Sequence, residues 1–251
     1  MKIAHKVGIA AATVLFFSTG LLSLTQVGQV RDTLRSQTES SIAETSATLA
    51  RQIEGWLNAK LRLIDLAAQT IDSNYSPEEN RRVFGAPLLK DEFILVFGTL
   101  EADGRPIGNL DNWKPSATWD GRQRPWYATG KNSSQAVLTE PYVDSTTGEL
   151  LISAVARISD AGRFLGVFGG DIRLQRVADA INTLDFNGAG HAFLLNRTGK
   201  IISHPRAEMN GKPYAELFDG ASPALDKALR EVSGGGKDLF VSFTPLSNLQ
   251  G

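Results

Sequence analysis

Hydrophobic and polar positions follow three different rhythms along the chain, and each rhythm predicts a different kind of element. Between Lys6 and Arg31 no charged side chain occurs, and the stretch 7–24 is dominated by Val, Ile, Ala, Leu and Phe (IAAATVLFF, then LLSL). A helix needs about 20 such residues to cross a hydrocarbon core of about 30 Å, so the run predicts a membrane span over 7–29. Lys2, His5 and Lys6 form a leader over 1–6, and basic residues beside a span stay on the cytoplasmic side. A cleaved signal peptide begins with the same order of basic and apolar residues. Here the run is longer than a usual signal core, and no clear small-x-small cleavage site follows Leu24. Either reading exports the residues after Arg31.

The second rhythm is helical. From Val30 to Ile71 there is no proline and a single glycine, Gly55, so helix is permitted throughout. Val30, Leu34, Ile42, Leu49, Ile53, Trp56, Leu57, Ile64 and Ile71 fall in steps mostly of three, four or seven, one apolar stripe on a helix over 30–72. Arg31, Asp32, Arg35, Glu39, Glu44, Arg51 and Glu54 occupy the opposite face. The early segment RSQTESSIAETSAT has a thin stripe, a weak heptad seam that suits pairing with a second copy. Near Trp56 the stripe thickens, as where a helix meets a globular body. At about 1.5 Å per residue the helix is about 60 Å long, and it serves either as a stalk or as a rod that passes a displacement toward the membrane. Ser76-Pro77-Glu78-Glu79 predicts a cap and a further short helix.

Beyond residue 90 short apolar runs alternate with glycine turns, which predicts strands over 93–99, 105–108, 136–138, 150–158 and 164–172 in an antiparallel sheet. Asp103-Gly104, Thr147-Gly148 and Ala161-Gly162 supply the turns. A weaker echo follows, with strands over 192–196, 200–203 and 237–243 and turns at Thr198-Gly199 and 234–236. FILVFGTLEADGRPI and AFLLNRTGKII share one order of apolar strand, polar glycine turn, basic residue and returning strand, and their turn glycines, Gly104 and Gly199, stand 95 positions apart. Two modules of about 100 residues follow from that spacing, joined by a helix over 173–185 with Leu174, Val177, Ile181 and Leu184 on one face. The second module lacks the strands to finish a sheet, so the sequence is expected to be a fragment.

Composition narrows the function classes. A net charge of −1 gives no field for nucleic acid. With no cysteine, disulfides, thiolate chemistry and cysteine zinc sites are excluded. His5, His191 and His204 stand too far apart in sequence for a local pair of ligands, so neither a metal nor another cofactor is expected.

The densest chemistry lies in Trp119-Asp120-Gly121-Arg122-Gln123-Arg124-Pro125-Trp126-Tyr127, followed by Pro141-Tyr142-Val143-Asp144 and Gly169-Gly170-Asp171. Arg124 can grip a carboxylate through two parallel bonds. Trp126, Tyr127 and Tyr142 can wall an ammonium group, and Asp171, at the end of an apolar strand, can neutralise it. Arginine, rings and carboxylate in that order suit a small zwitterion. A purely structural reading stands beside it, in which Trp126 and Tyr127 anchor a core and Arg124 pairs with Asp120 or Asp144. Glu140, Asp144 and Asp185 have no spacing that supports an acid–base pair, so an enzyme is not expected.

The order of basic start, apolar span, long helix ending near Trp56-Leu57, strand with a D-G turn, RPWY, EPYVD, GVFGGDI and a later SHP resembles the double Cache sensor domain of bacterial methyl-accepting chemotaxis receptors. The resemblance covers essentially the whole chain. It implies an α+β fold with an N-terminal transmembrane helix, a long stalk helix and two PAS-like antiparallel-sheet modules. The membrane-distal, ligand-binding module would cover 73–185 and an incomplete membrane-proximal module 186–251. It further implies a receptor of the bacterial inner membrane with a periplasmic main domain, a homodimer signalling to cytoplasmic machinery through a C-terminal part beyond Gly251. In the subgroup that binds amino acids, an arginine followed by tryptophan and tyrosine holds the ligand carboxylate and a later aspartate its amino group. Arg124, Trp126, Tyr127 and Asp171 match those positions, with Tyr142 as companion and Asp144 in the same phrase. The subgroup usually has tyrosine five residues before the arginine, where this chain has Trp119. Relatives that bind amines or purines share the framework, and the same sensor can feed a histidine kinase or nucleotide cyclase. A docking module for a periplasmic binding protein is a third class, one that leaves the pocket empty. His204-Pro205 matches a phrase of second modules and is read as a turn.

Overall fold

The computed structural model describes residues 2–73, 76–108, 116, 118–144, 148–181 and 190–247, without the side chains of residues 2–25, 32, 77, 78, 80, 81 and 175. One unbroken helix, α1 (Lys2–Gln69), takes in both the expected span and the expected stalk. At about 1.5 Å per residue it is about 100 Å long. Among the described residues no helix is long and apolar enough to cross a membrane. Most of the span expected over 7–29 lies among side chains outside the description.

The apolar stripe of α1 behaves as its density suggests. Leu57, Leu61 and Ile64 are fully buried, with Leu49, Ile53 and Ala68 on the same face and Ile71 buried just past the helix end, whereas Val27, Val30 and Leu34 are exposed. Each fully buried Leu or Ile contributes about 1.5–3 kcal/mol, so among the described side chains of α1 it is those of the second half that packing holds. The next helix, α2 (Pro77–Phe84), starts in a reciprocal capping box: Glu79 N–H donates to Ser76 Oγ at 3.2 Å and Ser76 N–H to Glu79 Oε2 at 3.1 Å. A short helix missed by periodicity, α3 (Pro87–Glu92), ends where the buried Lys60 ammonium donates to the Glu92 carbonyl and carboxylate at 2.7 and 2.8 Å.

The main sheet is antiparallel, as expected. Its strands are β1 (Val96–Leu100), β2 (Pro106–Gly108), β3 (Val137–Leu138), β4 (Tyr142–Val143), β5 (Leu150–Asp160) and β6 (Arg163–Arg173). Their order is β2-β1-β6-β5-β3, with β4 also on β5. The β5–β6 hairpin turns at Ala161-Gly162, both at positive φ (49° and 80°), the backbone that a two-residue turn between twisted strands demands. The hairpin is long because both of its faces are covered. Ile152, Ala154, Ala156, Ile158, Phe168 and Ile172 share a core with α1, while Val155 and Val167 pack under Trp126 and Tyr127 of α4 (Pro125–Asn132). Gly130 brings α4 close: a Cβ there would stand 2.5 Å from Val167 Cγ1.

After β6 the chain enters α5 (Leu174–Ile181), which agrees with the helix expected over 173–185 as far as residue 181; residues 182–185 lie outside the description. Two small sheets follow, β7 (Leu194–Leu195) with β8 (Ile201–Ser203) and β9 (Arg230–Gly234) with β10 (Lys237–Val241). The β9–β10 turn is Gly235-Gly236, at φ 59° and 73°, so the glycine run expected to precede one strand in fact joins two.

Candidate functional site

Alternation along β5 and β6 sorts their side chains by face. Ser153 stands opposite Asp171 in the register and Val155 opposite Gly169, all on the face that α4 covers. Gly169 is small for a reason: a Cβ there would meet the Phe97 ring at 2.7 Å. Phe97 in turn lies against Trp126, ring centroids 4.7 Å apart. Trp119, Trp126, Tyr127 and Tyr142 thus gather in one apolar cluster with Phe97, Val137, Val155, Phe164 and Val167. Sequence reasoning grouped these four rings, and the fold brings them together.

At the end of this cluster lies Asp171, only 4% exposed. Its Oδ1 accepts from Ser153 Oγ at 2.5 Å and from Tyr142 Oη at 3.1 Å, and the two hydroxyls are 2.7 Å apart. Thr139 fixes the serine by accepting its N–H at 2.9 Å. No cation pairs with Asp171 among the described residues. Burial pushes its carboxyl up to about 7 against the two hydroxyls that hold it down, with Asp144 adding to the rise. Burial also raises the Tyr142 phenol, with Asp171 as the second cause, so Tyr142 stays a neutral donor.

The arginine end is built by a tight turn. Gly121 packs against Thr99, where a Cβ would stand 2.6 Å away, and Asp120 accepts the Arg122 N–H at 2.9 Å. The Arg122 guanidinium then closes on Asp120 (2.7 Å) and on the Glu101 carbonyl (3.0 Å). Asp120 therefore belongs to Arg122, and the pairing of Arg124 with Asp120 considered from sequence does not form. Arg124 is half-buried at the N-cap of α4, with Pro125 at the first helical position. Among the described residues its guanidinium makes no hydrogen bond or ion pair.

Trp126 and Tyr127 are buried, at 5% and 4% exposure. The Tyr127 hydroxyl donates to Glu101, which Lys131 also holds at 3.0 Å. Glu101 pairs with Leu165, six positions along β6 from Asp171, about 20 Å at about 3.3 Å per residue. Tyr127 therefore offers the cluster its ring, not its hydroxyl. Asp144 is half-buried after β4, its N–H on the Glu149 carbonyl at 2.8 Å. Residues 109–115, 117 and 145–147, which flank these elements, lie outside the description.

Three contributors escaped the sequence reading: Ser153, Thr139 and Glu101. Ser153 carried a signal, the one hydroxyl inside the apolar run LLISAVA. The histidines were also closer than their separation suggested: His191 Nε2 and His204 Nε2 are 3.2 Å apart. His204 Nδ1 accepts the Arg206 N–H at 2.9 Å, which puts the proton of a neutral ring on Nε2, directed at His191. A metal on that nitrogen would need the proton moved, so the pair is a hydrogen bond closing the turn at His204-Pro205. Among the described residues no group of three or more His, Cys, Asp or Glu could hold a metal.

Comparison with known proteins places these features in context. The Cache domain model dCache_1 matches residues 28–250. The methyl-accepting chemotaxis protein PctB of Pseudomonas aeruginosa is 32% identical over 256 residues, which is 100% of this chain, and the chain spans 40% of that protein's length. Among solved structures, the ligand-binding domain of the Pseudomonas fluorescens chemoreceptor CtaA with L-serine superposes at a TM-score of 0.78, with 31% identity over 85% of this chain and 92% of that one. The PctB ligand-binding domain with L-Arg superposes at 0.79, with 31% identity over 85% and 84%.

Proposed function

The chain belongs to the Cache domain family, and from that premise we propose that it is the ligand-sensing part of a transmembrane chemoreceptor that binds an amino acid. The observation that carries this reading is the buried carboxyl of Asp171, without a cation of its own among the described residues, beside the ring cluster to which α4, capped by Arg124, contributes Trp126 and Tyr127. A buried carboxyl with only neutral donors is costly, and an ammonium group is the partner that offsets the cost. Arg124 takes the ligand carboxylate, Trp119, Trp126, Tyr127 and Tyr142 wall the space between, and Asp144 stands beside Asp171 at the amino end. Relatives crystallised with L-serine and L-Arg support a zwitterionic ligand.

The module over 73–185 holds this site and lies farther from the membrane than the module over 186–251. Residues 7–29 span the bacterial inner membrane from a cytoplasmic leader over 1–6, and the stretch 30–72, helical as far as Gln69, joins the span to the periplasmic body. Two copies pair along the early part of α1, where Val27, Val30 and Leu34 are exposed. The cytoplasmic signalling machinery is reached through a part of the receptor beyond Gly251. Binding is the whole of the activity, and no bond of the ligand is broken. A ligand shifts the conformational equilibrium by its difference in affinity between two states, and α1 carries that preference toward the membrane.

Calorimetric titration with a panel of L-amino acids, amines and purines tests the reading. At least one L-amino acid should bind, and Arg124→Ala should weaken it about 100-fold while the melting temperature holds. Equal affinity in the variant removes Arg124 from the site.

A further inference from the structure

The amino end of the site contains a group that no sequence motif singled out. Ser153 is fully buried directly across from Asp171, and with Tyr142 it places two hydroxyls on the same carboxyl oxygen, Oδ1. A carboxylate has about four lone-pair sites on two oxygens; among the described residues both side-chain donors occupy one oxygen and leave Oδ2 for a partner. We propose that Ser153 is a positioning residue that fixes Asp171 with Oδ2 toward the ligand, and that capture of the ligand ammonium is coupled to release of the Asp171 proton to solvent. The inference rests on the amino-acid reading of the preceding subsection.

Physical chemistry independent of any motif leads there. Burial without a countercharge favours the protonated acid, and the two hydroxyls are neutral donors that offset only part of that preference. Tyr142 of β4 and Asp144 just after it are the titratable groups that act on Asp171: the neutral phenol, as a donor, favours its ionisation, and the charge of Asp144 opposes it. On the β1 side, Ile94 and Leu95 meet Asp171 through backbone alone, Ile94 N–H on its carbonyl at 3.0 Å and its N–H on the Leu95 carbonyl at 2.9 Å. From α4, Tyr127 directs its hydroxyl to Glu101. When an ammonium arrives, the O–H bond of the acid breaks, its proton leaves to water, and the carboxylate pairs with a ligand that keeps all its own protons.

The test is calorimetry in phosphate and in Tris, buffers of very different ionisation enthalpy, with the first of L-serine, L-alanine, L-glutamine or L-arginine to give a measurable isotherm. With the carboxyl at about 7, about half a proton should leave per ligand at pH 7 and about a tenth at pH 8. Affinity at pH 6 should be about fivefold weaker than at pH 7 by the same linkage. Ser153→Ala removes a donor to the carboxylate, so release at pH 7 should rise, and its affinity deficit should shrink toward pH 9. A purely structural role for the serine would leave the proton count unmoved. If Ser153→Ala does not fold, the carboxyl carbon resonance of Asp171 in the unaltered, ligand-free protein decides: a midpoint near 7 supports the coupling and one near 4 overturns it. Binding with identical enthalpies in both buffers from pH 6 to 8 sinks the proton coupling but spares amino-acid sensing. Failure of every probe to bind removes the amino-acid reading and this inference with it.

Discussion

The six-stranded sheet and the region after α5 are built from similar words of sequence but are held by different means. The first has its central hairpin covered on both faces, by α1 and by α4, so that Val155, Phe168 and Ile158 are fully buried. The second has two two-stranded sheets, and in β10 Leu239 and Phe240 stay 38% and 49% exposed. Each also keeps one polar cluster out of water, and the clusters differ in sign. Asp171 is an acid whose buried state favours the proton; His204 is a base whose burial, with His191 and Arg206 nearby, lowers it to about 4 and favours losing the proton. A region packed on two sides can keep a carboxyl without a countercharge among the described residues, a cost that the ammonium of the proposed ligand offsets.

The sharpest way to break this contrast is to delete equal rings. Phe168→Ala should cost about 3–5 kcal/mol in denaturant unfolding because it leaves a cavity, whereas Phe240→Ala should cost under about 1 kcal/mol; equal losses would show that both sheets are packed alike. Next in size, ligand affinity should fall about 100-fold in Arg124→Ala and stay within about twofold in His191→Ala, since charged hydrogen bonds contribute about 1.5–3 kcal/mol and the proposed site uses no group of the second region. Gly130→Ala pushes α4 off Val167, so calorimetry should show weaker binding and thermal melts a loss of about 1–3 kcal/mol.

The pH dependence has opposite signs in the two regions. Asp171 is raised from 3.8 to about 7 in the folded state, so its contribution is fully present below 3.8 and is lost as pH rises through 7. His204 is lowered from 6.5 to about 4, so its contribution is present above 6.5 and is lost as pH falls through 4. Melts between pH 4 and 7 should therefore gain an acid-favouring slope in His204→Gln and lose one in Asp171→Asn. Slopes that move in the same direction in the two variants would contradict the assignment.

Much of the first sheet was legible because its strands are long, apolar and ended by glycine turns. Runs at 150–158 and 164–172 correspond to β5 and β6, and two covered faces explain why they read as nearly continuous apolar stretches. The helix α4 was not legible, since PWYATGKN contains a glycine, a polar half and no full stripe. For β9 the segment REVSG offers a single apolar side chain, and its pairing depends on the turn and not on hydrophobicity. At the candidate site the rings and Asp171 were legible from residue type. The company they keep was not: the partner of Tyr127, Glu101, lies 26 positions away, and Ser153 reaches Asp171 across a strand register. Long-range pairing of this kind leaves no local pattern, as with His191 and His204.

The most direct measurement is a crystal structure of the ligand-sensing region grown with a bound L-amino acid. The ligand ammonium should lie within hydrogen-bond reach of Asp171 Oδ2 and its carboxylate on the Arg124 guanidinium, with the rings of Trp126 and Tyr142 alongside. A ligand seated elsewhere, or packed protein filling the space between Asp171 and Arg124, would contradict amino-acid sensing at this face.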